Sequence, residues 1–407
     1  MKAVRILLEV VLSICMTTVA NSDWFNQTSG TTRNLESVSL CNGNENTGYV
    51  AGWSGTILKT TNGGTTWVTQ NAITTRGLRS VYFVNVNTGY AVGGLGEILK
   101  TTAGGNPWVE LNSSGQYNYL YCVRCSSDAN TAYIVGDSGY ILKTRNGGVS
   151  WTHQNSGITS ALRSVHFPQY GRTGYAVGDG GVIMKTFNGG GTWSLLNPVT
   201  NENLHSVYFI DAGYGFVVGD NGTILMTMNG GGIWTFLSYG TRDLYSISFG
   251  NYGYAAGNGG TVLRGTGAGW GRQTSNTEFN LRSISFLNTN SNTGYAVGWG
   301  GTIIKTTDGG GPGVEEEESK GEIGVTKHSF RIFPNPMSTT TLLSLNAKTS
   351  EKAKVAIYDV AGNLVTSFEM PTNRPTSWDS RKLPAGVYFL RATTGEYTAT
   401  EKVVIAR

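Results

Sequence analysis

The chain has 407 residues, of which 14 % are charged and 58 are glycine, and its formal net charge is +4. That length is too great for one small core and sets an expectation of two domains. The charge is small and no Lys/Arg run tracks a phosphate backbone, which argues against nucleic acid as a partner. Glycine at this level, beside Trp, Tyr, Val and Thr, suits short strands and tight turns rather than helices.

Residues 1–20, MKAVRILLEVVLSICMTTVA, have the layout of a signal peptide. Lys2 and Arg5 give a positive start, an apolar run follows, and Thr18-Val19-Ala20 offers a cleavage site. Glu9 interrupts the run, which is too short for a membrane span. Leu12–Cys15 has the outline of a lipoprotein site, but Ile14 stands where a small residue is needed. Export without lipidation is the reading, and no membrane span is expected in the mature protein.

Cys41, Cys122 and Cys125 remain after cleavage, and the last two form a CxxC. That spacing serves redox and metal sites elsewhere. In a strand, residues three apart lie about 10 Å from each other, beyond disulfide reach. No second CxxC and no histidine at ligand spacing accompany the pair. Buried free thiols are expected, and neither a metal nor a cofactor.

From residue 21 onward a unit repeats roughly every 40 residues. Tyr49, Tyr90, Tyr133, Tyr175, Phe216, Tyr254 and Tyr295 mark it. Its second copy shows the plan. Leu78–Phe83 alternates as a strand, Gly89–Gly93 is a second, Gly96–Thr101 a third and Pro107–Leu111 a fourth. Four short strands per unit of this length are the pattern of a β-propeller blade. Trp67, Trp108, Trp151, Trp193, Trp234 and Trp270 each open a fourth strand. The seventh unit, Leu281–Gly310, stops before its tryptophan. The missing piece lies at the other end, where Ser22–Leu35 matches Thr65–Leu78. Trp24 then supplies the outer strand of the seventh blade. The expectation is an all-β, seven-bladed propeller over 21–310, closed by an N-terminal strand that removes an exposed sheet edge.

Between third and fourth strands lies a Thr-x-Asn-x-Gly-x-x-Trp turn, as in Thr60–Trp67. Asn bonds nearby amides and Gly takes positive φ, while the Trp packs between blades. The turn resembles the Asp-box of BNR-repeat propellers such as sialidases, in which the box is scaffold. Asn replaces Asp at 62, 146, 188 and 229; Asp308 keeps it, Ala103 departs, and the sixth unit is degenerate. The whole unit resembles the photosystem II assembly/stability factor family, over about Asp23–Gly310. That resemblance implies a seven-bladed, non-enzymatic, protein-binding scaffold, and it does not imply photosynthesis.

Residues 311–325 are acidic and Gly-rich and read as a solvated linker. In 326–407, Phe330–Pro336, Lys354–Val365, Leu383–Ala392 and Glu401–Arg407 read as strands of a small Ig-like β-sandwich. The FPNP at Phe333–Pro336, the hairpin YDVAGNLV at Tyr358–Val365, the strand LPAGVYFLR and the ending KVVIAR resemble, in order, the type A C-terminal sorting domain of the type IX secretion system. The resemblance implies a Bacteroidota-type envelope, the type IX machinery as partner, and delivery across the outer membrane to the cell surface or beyond. An adhesive sandwich module is the other reading.

Two variable columns map onto one propeller face. The residue after the first Leu of each inner strand gives Glu36, Arg79, Tyr121, Arg163, His205, Tyr245 and Arg282. The residue after the second strand gives Trp53, Gly94, Asp137, Asp179, Asp220, Asn258 and Trp299. Trp53 and Trp299 sit on neighbouring blades and suit stacking on a sugar, a proline or another flat group; turn packing is the alternative. Asp137, Asp179 and Asp220 suit either ligand contact or tight-turn chemistry. The arginines suit partly exposed ion pairs with the Asp column. The candidate binding residues are therefore Trp53, Trp299, Arg79, Arg163, His205, Arg282, Asp137, Asp179 and Asp220, with no catalytic residue. The function expected is a secreted, non-catalytic scaffold for a protein or glycan ligand. The alternative is a glycan-cleaving hydrolase. Arg79, Arg163 and Arg282 evoke a sialidase triad, but no acid–tyrosine nucleophile pair accompanies them, and the carboxylate pair of a glycosidase is not marked out.

Overall fold

The computed structural model describes residues 24–41, 44–111, 118–126, 129–168, 172–266, 269–287, 292–311, 329–333, 340–346, 352–372, 376–395 and 397–405. The expected signal peptide 1–20, the expected linker from 312 onward and the last three residues of FPNP lie outside these. No α-helix occurs among the described residues.

Residues 24–311 form seven four-stranded antiparallel sheets. The inner strands are Leu35–Cys41, Leu78–Phe83, Leu120–Cys125, Leu162–His166, Leu204–Phe209, Leu244–Phe249 and Leu281–Phe286. Each lies against the next, and the last lies against the first. The second strands, such as Gly89–Gly93 and Gly174–Gly178, are buried throughout. Blades pack face to face on both sides, so these strands read as continuous apolar runs rather than alternating ones. Fourth strands are shorter than their sequence pattern: Val109–Glu110 and Ser194–Leu195 span two residues each. Phe25–Gln27 pairs antiparallel with Ile303–Thr306, Phe25 facing Lys305. The seventh blade is thus built from both ends of the propeller. Trp24 is fully buried, its indole N–H donating to Gln273 Oε1 at 3.0 Å.

Three circumferential sets of bonds join the blades, and all come from nearly constant positions of the repeat. The first uses the serine after each variable inner-strand residue. Ser37 Oγ accepts from Val81 N–H, Ser80 from Val123, Ser164 from Val207, Ser206 from Ile247 and Ser246 from Ile284. Ser283 accepts from Val38 N–H, tying the seventh blade to the first. Cys122 stands in the serine position of the third blade, its thiol 4.0 Å from Val165 O. The second set is the lysine of the third strand. Lys59 Nζ donates to Gly104 O at 2.8 Å, Lys100 to Gly147 O and Lys305 to Gly63 O, each reaching the turn of the next blade. The third set is the marker tyrosine, as in Tyr49 Oη to Gly104 O at 2.9 Å. These bonds engage backbone groups at the blade junctions, where an unpartnered buried N–H or C=O would be costly.

The Asn-Gly-Gly turn is scaffold. Thr60 Oγ1 accepts from Gly64 N–H and Asn62 Oδ1 accepts from Thr66 N–H. Gly63 and Gly64 hold φ of 65° and 84°. Where Ala103 replaces Asn, Thr101 Oγ1 still accepts from the Ala103 and Gly105 N–H groups. Trp67, Trp108, Trp151, Trp193 and Trp234 are buried, as is Trp24, and Trp270 packs on Phe216 of the preceding blade. Trp67 meets Tyr295 edge to face across the junction of blades one and seven. Cys41, Cys122 and Cys125 are buried and form no disulfide, and burial pushes the Cys41 thiol up to about 12.

The tail has two sheets. One orders Ser329–Phe333, Thr340–Asn346 and Thr376–Asp379; the other orders Leu364–Pro371, Lys352–Tyr358, Gly386–Thr394 and Tyr397–Ile405. Leu343, Val355, Trp378, Leu390 and Val403 draw on both sheets for one core. The strands Thr340–Asn346 and Thr376–Asp379 are additions to the sequence expectation.

Candidate functional site

Each inner strand carries the same one-residue register slip against its neighbour. It falls between Leu35 and Ser37, Leu78 and Ser80, Leu120 and Cys122, Leu162 and Ser164, Leu204 and Ser206, Leu244 and Ser246, and Leu281 and Ser283. The residue skipped is, in every blade, the first variable column. A bulge leaves its extra residue unpaired and re-aims the side chain. Seven bulges therefore present Glu36, Arg79, Tyr121, Arg163, His205, Tyr245 and Arg282 in equivalent positions.

The second column begins a tight turn held against the same strand end. Trp53 N–H donates to Asn34 O, Asp179 N–H to Ala161 O, Asp220 N–H to Asn203 O and Trp299 N–H to Asn280 O. The next residue takes a left-handed conformation, as Ser138 at φ 55° does, so the turn reverses within three residues. The two columns are thereby brought side by side.

They are bonded to each other. Arg163 grips Asp179 through Nε and Nη2, both at 2.8 Å, a bidentate pair. His205 Nε2 meets Asp220 Oδ1 at 2.6 Å, and Tyr121 Oη donates to Asp137 Oδ1 at 2.6 Å. Arg79 and Arg282 depart from the expected pairing with the Asp column. Both turn to Glu36, each at 3.3 Å from Oε2. Their side chains are long enough to cross the blade gap, and the Glu36 carboxylate, only 4 % exposed, requires charge compensation. Trp53 Nε1 donates to the other Glu36 oxygen at 2.7 Å. Glu36 is thus the hub of three blades, a role the sequence did not mark.

Cations also lie over rings: Arg79 over Trp53, Arg163 over Tyr121 and Arg282 over Tyr245. His205 meets Tyr245 edge to face. Trp53 and Trp299 remain 45 % and 41 % exposed. Among the described residues their rings are not stacked on each other. The turn Trp299–Gly301 adjoins the inner strand that carries Glu36. Gly55, Gly300 and Gly301 border an open cleft of about 760 Å³ lined with Thr28, Ser29 and Thr31.

The comparisons fit this geometry. Residues 16–118 and 116–198 match the family described as photosynthesis system II assembly factor YCF48, and residues 331–406 match the secretion system C-terminal sorting domain. The chain thus joins a propeller, whose first half is similar to the YCF48 family, to a segment that matches a sorting domain. A YCF48 bound to a D1 peptide superposes with a TM-score of 0.58 at 20 % identity, over 70 % of this chain and 94 % of that one. YCF48 from Cyanidioschyzon merolae gives 0.58 at 21 %, over 70 % and 98 %. The WD40 propeller of Doa1 gives 0.57 at 11 %, over 69 % and 96 %. No match is found among curated proteins. The sorting domain directs the chain through type IX secretion across the outer membrane, to the cell surface or the medium.

Beneath the bulge ring of the propeller lies a second tier, three residues further along each inner strand: Ser39, Tyr82, Arg124, His166, Tyr208, Ser248 and Ser285. In the sequence these residues are ordinary positions of an alternating strand. His166 stacks on Tyr208 with centroids 4.6 Å apart, and its Nδ1 accepts from Phe209 N–H at 3.2 Å. Burial, with the Arg124 charge adding to it, pushes the His166 pKa down to about 3. The unfolded value is about 6.5. Between about 6.5 and 3 the unfolded chain therefore binds one more proton, and stability falls as pH falls, by up to about 1.4 kcal/mol per pH unit. His166→Gln keeps an acceptor for Phe209 and should flatten that slope in urea titrations between pH 6.5 and 4; an unchanged slope would show that His166 does not carry it.

Proposed function

We propose that the protein is an exported, non-catalytic binding scaffold whose ligand face is the bulge ring with its exposed tryptophans. The observation that carries this reading is the sevenfold bulge. Seven blades use the same irregularity to aim varied side chains at one face, while the serine, lysine and tyrosine positions around it stay nearly constant. Constant framework with variable display is what a recognition surface needs. Fixed ion pairs of both signs beside Trp53 and Trp299 match a protein partner, with aromatic anchors surrounded by oriented polar groups. The YCF48 relative bound to a peptide supports the same choice.

The hydrolase alternative loses support at the same residues. Arg79 and Arg282 are engaged by Glu36, and Arg163 by Asp179. Asp137 and Asp220 are each held by a bulge partner. The contact of Tyr121 with Asp137 is an acid–tyrosine pair that the sequence did not mark out. Burial, then the bond to Asp137, push the Tyr121 hydroxyl up to about 12, opposite to what a nucleophile requires.

The test uses the full chain and its Trp53→Ala/Trp299→Ala variant. Each is crosslinked to intact cells of the source type, and captured proteins are identified by mass spectrometry. Polysaccharide binding and reducing-sugar release are followed in parallel. A protein captured by the wild type and lost by at least tenfold in the variant is the expected result. Equal capture by both would remove the aromatic face from the reading, and sugar release would overturn the non-catalytic assignment.

A further inference from the structure

The second tier differs from the bulge ring in its charge. The ring balances Arg79, Arg163 and Arg282 against Glu36, Asp137, Asp179 and Asp220. The second tier holds one permanent charge, Arg124, and no carboxylate. Among the described residues no acid pairs with Arg124 anywhere. Of its five N–H groups, one donates to the neighbouring Val123 O at 2.9 Å. The others are not sealed from solvent.

The side chains recorded beside the guanidinium on the two adjacent blades, Tyr82 and His166, can both donate. Its carbon lies 5.3 Å from the centre of the Tyr82 ring on the preceding blade, which fixes its plane by cation–π contact. His166, on the following blade, accepts from the backbone at Nδ1, so its single proton sits on Nε2, a donor. The Tyr82 hydroxyl is the second donor, from the same register position on the preceding blade. A cation taken partly out of water without a counter-charge is costly. Planar guanidinium is also the side chain best matched to two oxygens of one anion.

We propose that Arg124, His166 and Tyr82 form an oxyanion site inside the propeller, about 10 Å beneath the bulge ring at ~3.3 Å per residue. The ligand is a tetrahedral or planar oxyanion: phosphate, sulfate, or a carboxylate. Arg124 takes two of its oxygens and His166 Nε2–H and the Tyr82 hydroxyl donate to it. The site is independent of the protein partner proposed for the face above.

Calorimetric titration of the full chain at constant ionic strength tests it. The probes are inorganic phosphate, and tetraglycine beside its C-terminal amide. The variants are Arg124→Gln, Arg124→Lys, and Arg163→Gln as a ring control. Saturable phosphate binding that weakens at least tenfold in Arg124→Gln but not in Arg163→Gln is expected for a free oxyanion. Binding of tetraglycine that is lost with the amide and with Arg124→Gln identifies a polypeptide carboxylate as the source. Absence of binding to both probes by the wild type, or equal binding by Arg124→Gln, overturns the proposal. If Arg124→Gln fails to fold, the wild-type titration and Arg124→Lys decide: the lysine keeps the charge but not the fork, so binding weakened severalfold supports the site and unchanged binding refutes it.

Discussion

Trp24→Ala is expected to destabilise the propeller by about 3–5 kcal/mol, the cost of emptying a large, fully buried aromatic site. Trp24 has no exposed surface, meets Phe286 edge to face, and holds Gln273 through its indole N–H. Gln273 in turn donates to Gly309 O and Gly311 O. One side chain therefore joins the N-terminal strand to the sixth blade and to the end of the seventh. Truncation of residues 21–27 should do more. It uncovers the edge of Ile303–Thr306, and an open edge with apolar neighbours invites pairing between molecules. Chemical denaturation measures the first effect and light scattering the second. A Trp24→Ala loss under about 1 kcal/mol, with a monodisperse truncation, would mean the strand is an ornament on a blade that stands without it.

Glu36→Gln is the second large effect. The substitution keeps the shape and removes the charge that holds Arg79, Arg282 and the Trp53 N–H. Breaking a buried pair from one side costs about 3–5 kcal/mol. The arginines are 30 % and 27 % exposed, so water screens part of that, and about 2 kcal/mol is expected. The loss should shrink in sulfate, which can replace the missing anion. It should also shrink when Arg79→Gln and Arg282→Gln are added, since the three groups act as one unit. Urea titration of the single and triple variants checks this; additive losses would deny the coupling.

The propeller was legible because its signal is redundant. Seven copies of one pattern expose strands, turn and wedge tryptophan together, and Trp24 is recognisable because its neighbours repeat those of Trp67. The tail strands Thr340–Asn346 and Thr376–Asp379 had no second copy to compare with. At the site, the two columns could be placed from the repeat, yet their pairing could not. Arg79 and Arg282 stand beside Gly94 and Trp299 on their own blades, so each must look to a neighbouring blade for a carboxylate, and that it is Glu36 they reach depends on distances across the blade gap that the sequence does not carry. The serine belt was hidden for another reason. A constant serine looks like consensus, and its partner is a backbone amide one blade away, which no residue letter records.

The pairing of Phe25 with Lys305 also orders events in time. A chain that emerges N-terminus first, from a ribosome or through a membrane, presents Trp24 and Phe25 long before Ile303 and Thr306 exist as partners. The last blade must wait for nearly the whole propeller to arrive, and contacts of such long sequence separation form slowly. Until then the last blade lacks one of its two ends. Completion of the fold thus reports that the entire repeat array has reached the same compartment.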